Sequence, residues 1–342
     1  ITEACVTGMT IAIDAMGGDA FPENPVLGAV KAANELNIHV LLVGDESAVK
    51  AELDKHRCNR SKIEIAHASQ VIGMDEPVAS ALRTKKDASM RVCYDLHKNG
   101  TVDGVVSSGN SGAMLAVGRF VLKMIPGISR PCISAILPAL GGKVLLVDAG
   151  ANIDCTPEQL CQFAILGNIY LSDLHAVPSP RIGLLNVGSE EGKGDDRRKK
   201  TFDMLKESSL NFIGNVEGED FFSGDVDIVV TDGFAGNILL KSVQAAASFT
   251  IKLITEEMQC SLLARIGALW LRPSFKKLQK KISYAEFGGA PLIGLRGNGI
   301  VCHGKSNPDA ISYGVGFAQK AADEKWAERM SEGMLAYQAN LK

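Results

Sequence analysis

The chain has 342 residues, 46% of them hydrophobic and 22% charged, with a formal net charge of −3. That is enough chain for a large core or two domains, and no tract is composed like a disordered tail. The slightly acidic balance excludes the basic footprint of a nucleic-acid binder and leaves small or carrier-borne substrates. No run reaches the roughly 18 apolar residues of a membrane span. The first eight residues, ITEACVTG, lack the basic and apolar regions of a secretion signal, and Met9 reads as a candidate start. Eight cysteines are scattered without a C-x-x-C pair, which reads as buried free thiols in a reducing cytoplasm.

Taken in order, Thr10 to Asp14 is a β-branched strand that breaks into Ala15, Met16, Gly17, Gly18 and Asp19 before a helix. Asn37 to Val43 is the next strand, Glu46 to His56 its helix, and Ile63 to Ala66 a third strand. Pro77 to Leu96 alternates helical spacing with a basic cluster, Arg83, Lys85, Lys86 and Arg91, interrupted by Asp87, Ala88 and Ser89, and the cluster reads as a solvated face. Val105 to Ala113 (VVSSGNSGA) is a strand ending in Ser108, Gly109, Asn110, Ser111 and Gly112 ahead of an Ala-rich helix from Asn110 to Lys123. Glycines there admit a close ligand and the helix adds a positive N-terminal end, so a phosphate or oxyanion is the natural guest.

Ile133 to Leu137 and Val144 to Val147 follow as strands, the second running into DAGAN at Asp148 to Asn152 before the helix Pro157 to Ser172. Arg181 to Val187 is a strand ahead of a loop containing Glu190, Glu191 and Lys193, and Ile228 to Val230 ends in DGFAGN at Asp232 to Asn237 before a helix to about Met258. Strands alternating with helices at this spacing predict a largely parallel Rossmann-like α/β sheet with helices on both faces, all five polar loops lining one edge.

Named motifs fail here. No G-x-G-x-x-G follows the first strand, GSEEGKG at Gly188 to Gly194 is too short for a P-loop, and G-x-S-x-G is absent. The six histidines and the dispersed cysteines form no metal constellation. His303, in VCHGKS, is kept as an active-loop candidate.

Residues 261–283 combine Leu262, Leu263, Ile266, Leu269, Trp270 and Leu271 with Arg272, Lys276 and Lys277, and contain no acidic residue before Ser283. Apolar and basic groups side by side suit a membrane surface, an acidic carrier protein, a dimer contact or a core helix with a basic outer face, and Pro273 should divide the segment into two helices with a tip between them.

IDAMGGD at Ile13 to Asp19, SSGNSGA at Ser107 to Ala113, VDAGANIDC at Val147 to Cys155 and GLLNVGSEEGKG at Gly183 to Gly194 are four successive motifs; NFIGNVEG at Asn211 to Gly218, DGFAGN and GGAPLIG at Gly288 to Gly294 continue the series. In that order they resemble the PlsX family of bacterial phosphate acyltransferases of phospholipid synthesis, from about Met9 to Tyr313. Ser111 stands where the family often has Thr, and Ser108 where Ala is common. The resemblance implies one three-layer α/β/α domain over residues 9–342, of the phosphotransacetylase and isopropylmalate dehydrogenase type, with 261–283 projecting from it.

It also implies a reaction in which acyl-[acyl carrier protein] and orthophosphate give acyl phosphate and free carrier, with no metal or organic cofactor. It further implies a homodimer, cytoplasmic and peripherally bound to the inner face of the membrane, beside a glycerol-3-phosphate acyltransferase that consumes the product. Orthophosphate is largely anionic near neutral pH, so direct attack on the thioester needs clustered N–H donors and a cation more than a base. Ser108 to Gly112 are expected to hold phosphate, Lys193 to supply the cation with Asn186 nearby, and His303 to protonate the departing thiolate. Asp232, Asn237 and Lys241 would form a second strand–helix junction of the site, and Asp14, Gly17, Gly18 and Asp19 the first. A coenzyme A phosphotransacetylase and a non-catalytic carrier scaffold are the alternatives.

Overall fold

The computed structural model describes residues 9–261, 265, 267–275 and 289–339. Its first strands are β1 (Thr10–Asp14), β2 (His39–Gly44), β3 (Ile63–His67) and β4 (Gly104–Ser107). After them come β5 (Cys132–Ala139), β6 (Gly142–Val147), β7 (Ile182–Leu185), β8 (Phe212–Val216), β9 (Ile228–Val230), β10 (Ala290–Ile293) and β11 (Gly299–Val301). All join one 11-stranded sheet in the order β3-β2-β1-β4-β11-β10-β5-β6-β9-β7-β8.

β3, β2, β1, β4 and β11 are mutually parallel, as are β6, β9, β7 and β8. Between these blocks lie three antiparallel steps, β11 to β10, β10 to β5 and β5 to β6. An odd number of reversals makes the two parallel blocks run in opposite directions. The expectation that all polar loops line one edge is therefore corrected: the loops after β1, β4 and β11 leave one edge of the sheet, and those after β6, β7 and β9 leave the other. The cause is the strands β10 and β5, whose apolar runs carry no sign of direction.

Alternation along each strand sorts side chains to two faces. Ile11 and Ile13 point into one core with Val26, Ala29, Ile311 and Val315, from α1 (Glu23–Glu35) and α9 (Pro308–Asp323). Further along that face, Leu145, Val147, Ile228 and Val230 meet Phe163, Leu166 and Tyr170 of α6 (Pro157–His175), Phe202 of α7 (Asp196–Lys206) and Trp326 of α10 (Trp326–Ala339). On the opposite face Ala12, Val105, Leu146 and Val229 share a single core with Met90 and Tyr94 of α4 (Ser89–Lys98) and Met114 and Val117 of α5 (Ser111–Val121). α2 (Glu46–Leu53) and α3 (Val78–Thr84) complete the helices of the first block. The result is the three-layer α/β/α arrangement read from the sequence.

The helical spacing over Pro77 to Leu96 is realised as two helices, α3 and α4, parted at the Asp87, Ala88 and Ser89 interruption, where Ser89 N–H donates to Gln70 O at 3.0 Å and Ser69 N–H to the Asp87 carboxylate at 2.8 Å. Pro273 does not divide its segment as expected, for 267–275 is continuously helical through it. Of the described cysteines, Cys93, Cys132, Cys155 and Cys302 are buried, Cys58 and Cys161 half-buried and Cys260 exposed, all free thiols.

The long helix α8 (Gly233–Glu257) starts hard against the turn after β6. A Cβ placed on Gly236 would lie 1.9 Å from the Asp148 carbonyl oxygen, which is backbone and has no freedom to yield. Gly236→Ala is expected to lower stability by about 1–3 kcal/mol or more in urea unfolding, since overpacking at this point must displace the helix start.

Candidate active site

At the first edge the sequence-predicted residues Asp14, Gly17, Gly18, Asp19 and Ser108 to Gly112 meet the His303 loop. Asp14, 2% exposed, accepts from Ser89 Oγ at 2.6 Å and Ser107 Oγ at 2.7 Å, and Ser107 Oγ in turn accepts from Gly109 N–H at 3.0 Å. Ser108 Oγ donates to Gly17 O at 3.0 Å, Asn110 Nδ2 donates to Met74 O at 2.8 Å, and Asp19 N–H donates to Gly304 O at 2.8 Å. Gly17 is required by close approach: a Cβ there would stand 2.7 Å from the Asp14 carboxylate and 2.8 Å from Gly109 N. Asn110 caps α5 through Ala113 N–H at 3.1 Å, leaving the Ser111 and Gly112 amides at the open helix start. His303 is exposed and its Nδ1 accepts from Lys305 N–H at 3.1 Å. Most polar groups of this edge are thus spent on holding three loops together.

The second edge is assembled from the turns after β6, β7 and β9. Asp148, fully buried, accepts from the N–H groups of Ile133, Gly150, Ala151 and Asn152, and from the Asn152 side chain at 2.8 Å. Asn152 O takes Gly233 N–H at 2.7 Å, fastening this turn to the start of α8. Asp232 caps α8 through Ala235 N–H at 2.9 Å and pairs with Arg198 Nη2 at 2.9 Å. Arg198 also donates to Asp195 at 3.1 Å and to Leu185 O at 3.3 Å, so one guanidinium joins β7, α7 and α8. Asn186 Nδ2 donates to Lys193 O at 3.0 Å and folds the Lys193 loop back over the end of β7.

Lys193 keeps a half-exposed ammonium group whose nearest carboxylate, Glu190, is 3.8 Å away. Asn237, half-buried, faces Gly150, whose Cβ position is 3.3 Å from the Asn237 Cβ. Lys241 is exposed further along α8. Asn186, Lys193, Asp232 and Asn237 are therefore brought together, while Ser108 to Gly112 and His303 lie at the opposite edge. In one chain the Ser108 to Gly112 turn and Lys193 do not face a common phosphate.

Asp148, Asn152 and Arg198 are positioning groups that sequence reading did not single out. The first two stood within a quoted motif, but Arg198 sat in the run DDRRKK, which has the look of a solvated charge cluster. Burial beside Asp148 and Asp232 pushes the Cys155 thiol up to about 12, so it stays protonated and non-nucleophilic near neutral pH. Among the described residues no group of three or more His, Cys, Asp or Glu side chains could hold a metal.

Of the expected surface segment, Leu269, Trp270 and Leu271 are 71%, 85% and 50% exposed, with Arg272 also exposed on the same helical stretch. Leu262, Leu263, Ile266, Lys276 and Lys277 lie outside the described residues.

Burial raises the Asp14 carboxyl above its ordinary 3.8, against the bonds from Ser89, Ser107 and Met16 N–H that favour its charge. A raised carboxyl contributes stability that is fully present below 3.8 and is lost as pH climbs through the elevated value. The urea midpoint of the wild type should accordingly fall relative to that of Asp14→Asn as pH rises from about 4 towards neutrality; a constant difference would show that Asp14 titrates as an ordinary aspartate.

The sequence profile of the family described as "Fatty acid synthesis protein" matches residues 9–329. The chain is 47% identical to "Phosphate acyltransferase" of Geotalea uraniireducens over 338 residues, covering 98% of each chain. It is 47% identical to the protein of that name from Geobacter sulfurreducens over 333 residues, covering 96% of each. In fold it is similar to a phosphotransacetylase from Streptococcus pyogenes, with TM-score 0.60 and 16% identity over 94% of this chain and 95% of that one. It is likewise similar to a branched-chain phosphotransacylase from Enterococcus faecalis, with TM-score 0.57 and 13% identity over 92% and 99%. Near-full-length identity of this size places the chain in the fatty acid synthesis protein family, the family of the phosphate acyltransferases.

Proposed function

We propose that this acyltransferase moves a long-chain fatty acyl group from acyl-[acyl carrier protein] to orthophosphate, supplying acyl phosphate for membrane phospholipid synthesis. The observation that carries the reading is the likeness to phosphate acyltransferases over nearly the whole chain. The second edge suits the chemistry. A phosphate oxygen attacks the thioester carbonyl carbon, an oxyanion develops, and the C–S bond breaks to release the carrier thiolate. Lys193 and the Asn237 amide are the groups available to meet the phosphate and the oxyanion, with Asn186 shaping the Lys193 loop and Arg198–Asp232 fixing the start of α8. His303, at the opposite edge, has no access to that thiolate within one chain, and a thiolate leaves without an acid.

The exposed apolar residues of α8, Phe234, Ile238, Phe249 and Leu253, fit a second copy of the chain, giving a homodimer. Leu269, Trp270 and Leu271 fit a peripheral contact with the cytoplasmic face of the membrane, where a lipophilic acyl phosphate would pass to a glycerol-3-phosphate acyltransferase.

Incubation with palmitoyl-carrier protein should release free carrier together with acyl phosphate trapped by hydroxylamine, and only when orthophosphate is present. Release without phosphate would indicate a thioesterase, and equal turnover of palmitoyl-coenzyme A would move the donor to coenzyme A. Lys193→Ala is expected to lower kcat about 100-fold with carrier binding retained. Replacing Leu269 and Trp270 with Glu should abolish binding to anionic liposomes while turnover in solution continues; unchanged liposome binding would remove this segment from the membrane contact.

A further inference from the structure

A cleft of about 700 Å³ lies between α5 and the turn after β6, on the face opposite α6. The volume falls within the roughly 300–1,000 Å³ of small-molecule sites. Its walls are apolar: Leu82, Leu115 and Ala116 on one side, Met124 below, Pro131 and Ala151 on the other. Three cations, Arg119, Lys123 and Arg130, share the same cleft. No described carboxylate is within ion-pair distance of any of them, although Lys85, Arg91 and Arg198 elsewhere all have acidic partners.

Helix electrostatics account for Arg119, in the last turn of α5, but not for the other two. Arg130 is on no helix. Lys123 sits just past the C-cap with φ +68°, the left-handed position where glycine is favoured and a lysine is strained. Its ammonium stands 5.0 Å from the ring centroid of Phe120, a 55% exposed aromatic that also lies 4.9 Å from the Arg91 guanidinium. Apolar walls beside unneutralised cations are complementary to a molecule with one long apolar chain and one anionic head.

We propose that this cleft binds a long-chain acyl anion, the chain against Leu82, Leu115, Met124 and Ala151 and the head among Arg119, Lys123 and Arg130. An acyl phosphate and a free fatty acid share that chemistry. The cleft reaches the second edge directly, because Asn152, whose carbonyl holds Gly233 at the start of α8, also lines it. Acyl phosphate as the natural occupant rests on the reading of the protein as an acyl phosphate producer; the amphiphile site itself rests on the walls and the three cations.

Calorimetric titration of the full chain with dodecyl phosphate, dodecanoate and inorganic phosphate tests the site, alongside the carrier-release assay. Dodecyl phosphate is expected to bind, about tenfold more weakly to the triple variant R119Q/K123Q/R130Q, and not at all to Ala116→Trp, which fills the cleft. Inorganic phosphate should not displace it. Binding of dodecyl phosphate alone identifies a product site, and equal binding of dodecanoate identifies a site for any acyl anion; both support the proposal. Failure of the wild type to bind either amphiphile, or unchanged binding by both variants, would overturn it. A protein that releases carrier yet binds no amphiphile refutes the cleft alone, and one that binds through the cleft yet releases no carrier refutes only the enzymatic reading.

Discussion

The buried Asp148 carboxylate is the interaction on which the second half of the molecule depends. It gathers N–H groups from β5 and from its own turn, and through Asn152 it holds the first residue of α8. A fully buried carboxylate is costly unless its lone pairs are filled, and here four backbone N–H groups and one side-chain amide fill them. Burial still outweighs them and holds its pKa above the ordinary carboxylate value. The network serves position: it fixes where α8 begins, and so where Asp232 and Asn237 stand relative to the Lys193 loop.

The first edge uses the same device with Asp14, whose partners are the hydroxyls of Ser89 and Ser107. Each parallel block thus has a buried aspartate at a strand end organising the loops around it, and the second block adds a further one, Asp232. The difference lies in what is left over. At the first edge, the hydroxyl of Ser108 and the amide of Asn110 are consumed within the loops. At the second, Lys193 and Asn237 remain accessible, and a cleft opens at the turn that Asn152 belongs to.

Apart from β8, the strands from Thr10 to Val230 and the three-layer class were legible because β-branched runs alternate with helical spacing and most of these strands end in small polar residues. The direction of the blocks was not legible. Periodicity along a strand reports which face a residue occupies, and carries no information about which way its neighbour runs. That blind spot is why Ser108 to Gly112 and Lys193 read as one site when the sheet separates them. Asn186, Lys193, Asp232 and Asn237 could be found from their Gly-rich loops, whereas Arg198 could not, since a charge becomes a buried partner only through tertiary packing. Arg119, Lys123 and Arg130 were invisible for a related reason: three unremarkable surface charges acquire meaning only when folding sets them around one opening.

The core face shared by both blocks has a consequence for how the molecule comes apart. On one side of the sheet each block has its own hydrophobic layer, around Ile11 and Val315 in the first and around Phe163 and Val230 in the second. On the other, Ala12, Val105, Leu146 and Val229 belong to a single layer that crosses the antiparallel seam. Neither block can lose its helices on that face without exposing apolar surface of its neighbour. The two halves, opposed in direction, are therefore coupled through one continuous hydrophobic layer rather than through their loops alone.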